Sequence, residues 1–222
     1  MSLTQLICNN IPVLKLKDSG NKVLQLMRDL KVSHLPVVGK NGCYVGLVSD
    51  EDVYNLPDIS LAILNCGIYP PQPCVFSFQF VYDALNVLVS NKLSVLPVVD
   101  NENKYLGSIT ERKLLAHIAE ITSASHNGGV LVLETPKSNY SSAVIAGVVE
   151  SYNLKILSLY ANATKKAETI EVVVKLNGQD TSGIVQGLER NGYIVKNVFG
   201  GDKKYSQLME ERYDAFINYI SV

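Results

Sequence analysis

Two short runs carry side chains that could do chemistry together. Ser49-Asp50-Glu51-Asp52 sets a hydroxyl and a carboxylate three residues apart, so on a helix they share one face. A carboxylate accepts through two oxygens and can take two vicinal hydroxyls at once, as on a sugar. A helix beginning there also offers unpaired N–H groups to an anion. The same S-x-x-D spacing forms a capping box, with acid in the first turn favoured by the helix dipole. The residue types fit both roles. Thr110-Glu111-Arg112-Lys113 repeats the hydroxyl but ends in an ammonium, which has donors only and cannot accept from a sugar. Arg112 and Lys113 could instead neutralise phosphates or stand on a solvated helix face. The expectation is asymmetric: one site able to hold a sugar and one that is not. Asp50, Glu51 and Asp52 together would repel a triphosphate, which favours less highly charged ligands.

Other chemistry is thin. His34, His117 and His126 are the imidazoles, and none has a Ser or Cys partner implied by spacing. There is no Walker loop, H-E-x-x-H or G-x-S-x-G, so no enzyme is expected. Cys8, Cys43, Cys66 and Cys74 form no C-x-x-C pair and have no His at ligand spacing. They read as small buried hydrophobes in a reduced, cytoplasmic setting, with no metal site. No run approaches the ~18 uninterrupted apolar residues of a membrane helix, and no secretory signal is visible. Twenty Lys and Arg stand against 21 Asp and Glu, a net charge of -1 that argues against nucleic-acid binding. Charged residues make up only 18% of the 222, so part of the surface should face protein, in a homodimer above all.

The elements that must position Ser49 and Asp52 come from a repeat. Lys31-Val-Ser-His-Leu-Pro-Val-Val38 returns as Lys92-Leu-Ser-Val-Leu-Pro-Val-Val99, an offset of 61 that also carries Tyr44-Val-Gly46 to Tyr105-Leu-Gly107. In each copy apolar residues at helical spacing (Val23, Leu24, Met27 and Leu30; Ala84, Leu85, Leu88 and Val89) precede a strand entered through a proline. The strands are expected at Leu35–Val38 and Leu96–Val99, with the proline near the start, where a ladder donor can be spared. A polar turn, a second strand (Tyr44–Val48 or Tyr105–Ile109) and a helix capped by Ser49 or Thr110 follow.

The block L-P-V-V, polar turn, Y-x-G-x-[VI]-[ST], present twice, resembles the CBS domain, and the tandem resembles a Bateman module over 1–121, with repeats near 1–60 and 61–121. The resemblance implies a pseudo-symmetric pair with clefts for AMP, ATP, NAD or S-adenosylmethionine, an adenine nucleotide acting as regulatory ligand with no cofactor required. It implies that Asp52 takes the ribose hydroxyls and that Ser49 contacts ribose or phosphate, as the hydroxyl of Thr110 would in the second repeat. His34 would face the phosphates, while Leu93 and Ser94, with Ile68 and Pro73, would wall the adenine. Their alternatives are an exposed strand-entry His and ordinary core and loop packing.

Residues 122–128, Thr-Ser-Ala-Ser-His-Asn-Gly, read as a linker. Beyond it a strand from Val130, a stripe at Val144, Ile145, Val148, Val149 and Tyr152, a strand at Lys155–Ala161, and period-2 alternation over Thr169–Leu176 are followed by a helix near Ile184–Leu188 and a strand at Tyr193–Phe199. The order βαββαβ over 129–201 is ferredoxin-like. Beside a CBS pair it resembles an ACT domain, although the segment after the first strand lacks the glycine that pattern expects. Residues 202–222 read as an amphipathic helix docking on protein, with Tyr205, Leu208, Met209, Phe216, Ile217 and Ile220 on one side. The layout is similar to bacterial acetoin-utilisation regulators. The fold class is therefore mixed α+β, and the function expected is a non-enzymatic sensor of an adenosine ligand, acting on a regulated enzyme or transporter. The alternative is a ligand-free assembly module. Neither a nucleic-acid nor a membrane partner is expected.

Overall fold

The computed structural model describes residues 3–15, 17–62, 70–163 and 168–200. Ile68 and the helix expected over 202–222 lie outside them. The chain divides into two compact units, Met1–Ile118 and Ala119–Val222.

In the first unit α1 (Gly20–Leu30), β1 (His34–Val38), β2 (Tyr44–Ser49) and α2 (Asp50–Tyr54) form one repeat. The second contains β3 (Val75–Phe76), α3 (Val81–Ser90), β4 (Val95–Val99), β5 (Tyr105–Thr110) and α4 (Glu111–Ile121), the last three residues of which fall in the second unit. The Ser19 hydroxyl starts α1 by accepting the Lys22 N–H, and Lys31 stops it in the left-handed region at φ 54. Lys92, its counterpart, stops α3 at φ 51. The correspondence holds residue by residue: His34 opposes Ser49 as Val95 opposes Thr110, and the ladder slips after Val37 as it does after Val98.

Pro36 is the third residue of its strand, because β1 begins at His34, one residue earlier than expected. Its carbonyl accepts from Leu14 N–H at 2.7 Å. Its nitrogen therefore faces the side where the isolated parallel bridge Leu14–Val37 is only beginning, and no ladder bond is lost.

The repeats exchange their lead-in segments. Cys8 donates its N–H to Ser108 O at 2.8 Å, on the last strand of the second repeat. Leu47, on the last strand of the first, donates to Pro71 O at 2.9 Å. Glycine is required at both crossings: a Cβ on Gly46 would stand 2.7 Å from Pro70, and one on Gly107, at φ 151, would collide with Ile7. The cores mix accordingly. Leu3, Leu6 and Leu47 pack with Leu93, Leu96 and Ile109, while Val95 packs with Val23, Leu35 and Val48. Burying a side chain of this size contributes roughly 1.5–3 kcal/mol, and here much of that contribution joins one repeat to the other.

The second unit is the ferredoxin-like sandwich expected from the period-2 and helical signals. Its elements are β6 (Val130–Pro136), α5 (Ser142–Ser151), β7 (Ile156–Ala163), β8 (Thr169–Leu176), α6 (Ser182–Arg190) and β9 (Ile194–Phe199). The sheet order is β7-β8-β6-β9, antiparallel throughout. Leu131, Leu133, Val172, Val174 and Leu176 pack under Ile145, Val149, Ile184 and Leu188. Residues 122–128, small and polar enough to read as a tether, are instead held by this unit. Ser158 Oγ donates to Thr122 O at 3.1 Å, Lys175 Nζ to Gly128 O at 3.0 Å, and Gln179 Nε2 to Asn127 Oδ1 at 3.1 Å.

Candidate functional site

Equivalent residues of the two repeats face one another and mark a local two-fold axis. Cys43 bridges Lys104 at one end, and at the other Ser33 N–H donates to Ser94 Oγ at 2.9 Å. Each of these pairs is separated by 61 residues. His34, next to Ser33, extends the seam. Its Nδ1 lies 3.1 Å from Ser94 Oγ and 3.3 Å from Ser94 N. A backbone N–H only donates, so Nδ1 is the acceptor and the ring proton sits on Nε2. Burial holds this imidazole below its usual pKa; the carboxylates of Asp50, Asp52 and Glu51 pull the other way and do not prevail. His34 is thus a neutral, half-buried ring that accepts at Nδ1 on the seam, not the exposed strand-entry His of the alternative reading. Its Nε2–H makes no hydrogen bond among the described residues.

Ser49 and Asp52 form a closed capping box at the start of α2. Asp52 Oδ2 accepts from Ser49 N–H at 2.8 Å and from the Ser49 hydroxyl at 2.7 Å, while Ser49 Oγ accepts from Asp52 N–H at 3.0 Å. One carboxylate oxygen therefore does all the capping. Oδ1 makes no hydrogen bond among the described residues. Asp50 N–H donates to Ser33 O at 3.0 Å, which ties the start of α2 to the seam and brings Asp50, Glu51 and Asp52 close enough to act on His34.

The second repeat presents the counterpart without the acid. Thr110 Oγ accepts from Lys113 N–H at 3.2 Å and has Cys8 Sγ at 3.9 Å. Of the expected adenine wall, Leu93 is buried at 5% exposure in the core with Leu88 and Leu96, so it does not wall a cleft. Ser94 spends its hydroxyl and its N–H on the seam. Pro73 is half-buried, and its carbonyl accepts from Tyr44 OH at 3.0 Å. Burial pushes the Tyr44 phenol well above its ordinary pKa, so it remains a donor. Beside the cluster a groove of about 210 Å³ is lined by Leu24, Met27, Arg28, Lys31, Asp50 and Tyr54, among others. Ser49 and Asp52 stand outside it. Among the described residues no group of three or more His, Cys, Asp or Glu could hold a metal, and no helix is long and apolar enough to cross a membrane.

Sequence reasoning missed Ser33 and Tyr44. The offset of 61 that pairs Ser33 with Ser94 was the signal that could have found the first; Tyr44 had its signal in the repeated Y-x-G.

Residues 4–57 and 70–120 match the family model described as CBS domain. The first unit is a tandem CBS pair. Among curated proteins, inosine-5'-monophosphate dehydrogenase of Methanocaldococcus jannaschii is 28% identical over 98 residues, 44% of this chain and 20% of that protein. CBSX2, a chloroplastic CBS domain-containing protein of Arabidopsis thaliana, is 27% identical over 149 residues, 53% of this chain and 63% of its own length. The chain thus matches about a fifth of the dehydrogenase, all of it within the CBS pair, and under two thirds of CBSX2. Among solved structures, a CBS domain pair/ACT domain protein from Thermotoga maritima has a TM-score of 0.49 at 22% identity, covering 54% of this chain and 98% of that one. CBSX2 in complex with AMP has a TM-score of 0.47 at 26% identity, covering 54% and 97%.

Proposed function

We propose that the protein is a non-enzymatic regulator whose first CBS repeat binds an adenosine-containing ligand through Asp52. The observation that carries this is the division of labour within one carboxylate: Oδ2 completes the capping box, and Oδ1 has no hydrogen-bond partner among the described residues. An ionised oxygen held in place by its own helix cap is pre-ordered to accept from sugar hydroxyls. The neutral Nε2–H of His34, with the same acids nearby, would donate to a ribose or phosphate oxygen. Lys113 at the equivalent position leaves the second repeat without an acceptor, so one ligand per chain is expected. AMP, NAD or S-adenosylmethionine fits three adjacent carboxylates better than ATP does. Ligand binding would bias the packing of the two repeats, because differential affinity for two arrangements is what shifts a population between them. The ferredoxin-like unit, read as ACT-like, would be the output or partner surface.

A thermal-shift panel of adenosine compounds tests this. A ligand at about 100 times its Kd stabilises by about 2.7 kcal/mol. A melting curve unmoved by AMP, NAD, S-adenosylmethionine and ATP alike would end the sensor reading.

A further inference from the structure

Two helix ends of the first repeat meet at the groove of about 210 Å³ beside the seam. Its apolar lining is Leu24 and Met27, 7% and 3% exposed. The end of α1 brings Arg28 and Lys31 to it, and α2 brings Asp50 and Tyr54. Arg28, Lys31 and Tyr54 are exposed, and Asp50 is half-buried. Arg28 Nε donates to Leu24 O at 3.3 Å. Among the described residues none of the three charges is in an ion pair, so Asp50 lines the same groove as two cations without closing on either. Part of this is ordinary helix chemistry. A cation at the end of α1 and an acid at the start of α2 complement the helix dipoles, and the second repeat keeps both, as Lys92 and Glu111. It does not keep the other two, since Val89 stands for Arg28 and Leu115 for Tyr54. Helix ends therefore account for Lys31 and Asp50, whereas Arg28 and Tyr54 are additions that the fold does without in the other copy.

We propose that this groove binds a small zwitterion, an α-amino acid with an aliphatic side chain. The guanidinium fork of Arg28 takes the carboxylate through two parallel hydrogen bonds, with Lys31 adding charge. Asp50 takes the ammonium, and the ring of Tyr54 offers it an aromatic face. The side chain lies on Leu24 and on Met27, whose flexible thioether adapts to branched shapes. Size agrees with this class of ligand. A volume of about 210 Å³ is room for about seven waters, below the roughly 300 Å³ at which sites for drug-sized ligands begin, and too small for a nucleotide. The groove is also distinct from the sugar site. Asp50 and Tyr54, four residues apart, share one side of α2, and Asp52 stands about 200° from Asp50 around the helix. Ser33, whose N–H donates to Ser94 across the seam, lines the groove as well, so the amino acid would be a second effector touching the contact between the repeats.

Calorimetric titration of the full chain with leucine, isoleucine, valine and methionine tests this, followed by the deaminated acid and the amide of whichever binds best. The expected result is that at least one amino acid binds and that both analogues, each lacking one charge, bind roughly tenfold or more weakly. Arg28→Val, which installs the second repeat's residue, should weaken the amino acid roughly tenfold. If that variant fails to fold, Asp50→Asn should weaken it by a similar factor. A parent that binds none of the four overturns the proposal. So does an amino acid held as tightly by both variants as by the parent, which would place it in the ferredoxin-like unit, and so does a deaminated acid that binds as well as the amino acid.

Discussion

Asp52→Asn separates the two jobs that the structure gives one side chain. The amide oxygen of Asn can replace Oδ2, accepting from both Ser49 N–H and Ser49 Oγ, so the capping box survives. What changes is the other atom: Oδ1, without a partner among the described residues, becomes an NH2, which donates and cannot accept from ribose. Stability should fall only by the lost charge in the first turn, about 0.3–1 kcal/mol. Ligand binding should fall by about 1.5–3 kcal/mol, the range for hydrogen bonds to a charged group, or roughly tenfold to 150-fold in Kd. Asp52→Ala removes both jobs and should cost about 1 kcal/mol in stability as well, as for other lost caps. Calorimetric titration with the compound that shifts the parent's melting, alongside denaturant unfolding of all three chains, reads both quantities. An Asn variant that binds as tightly as the parent would show that Oδ1 does not meet the sugar, whatever the ligand does elsewhere.

The converse substitution, Lys113→Asp, should let the second repeat close a box on Thr110 and raise the calorimetric stoichiometry from one ligand per chain to two; a value still at one would mean that more than the acid is missing there. His34 gives a pH dependence. Its folded pKa lies below the unfolded 6.5, so the unfolded chain takes up the proton first. Stability is then level above pH 6.5 and falls as pH drops through it, and His34→Gln should flatten that part of the parent's curve in melts between pH 8 and 5.5. Gly46→Ala should press a methyl against Pro70, only 2.7 Å from the ideal Cβ, and cost about 1–3 kcal/mol in urea unfolding by lifting the second lead-in from β2. Tyr44→Phe leaves Pro73 O without its donor and should cost about 1 kcal/mol, also by urea unfolding.

What could be read in the sequence and what could not follows from the range of the interactions involved. The offset of 61 was visible because each repeat solves its local problems with local residues. Left-handed stops at Lys31 and Lys92 and caps at Ser49 and Thr110 need only their near neighbours. Alternation over Thr169–Leu176 is likewise local, and it placed β8 without error. The sequence did not show the partner of His34, because Ser94 is 60 residues away and is chosen by the axis relating the repeats, which no window of sequence contains. Leu93 failed for the same reason: flanking the seam in sequence, it turns into the core that Leu3 and Leu6 complete from the opposite end of the unit. The repeat nonetheless held a signal about the seam. A residue that faces its own equivalent across a two-fold axis meets the same chemistry on both sides. Ser33 and Ser94 are one such pair, able to donate and accept in either direction. Cys43 and Lys104 differ although they meet, because their contact is a backbone bridge, while Asp52 and Lys113 differ at equivalent positions of the two helix starts. Identity between copies is thus informative where the side chains themselves make the contact, and the divergence of Asp52 from Lys113 is where the two repeats are expected to differ in ligand.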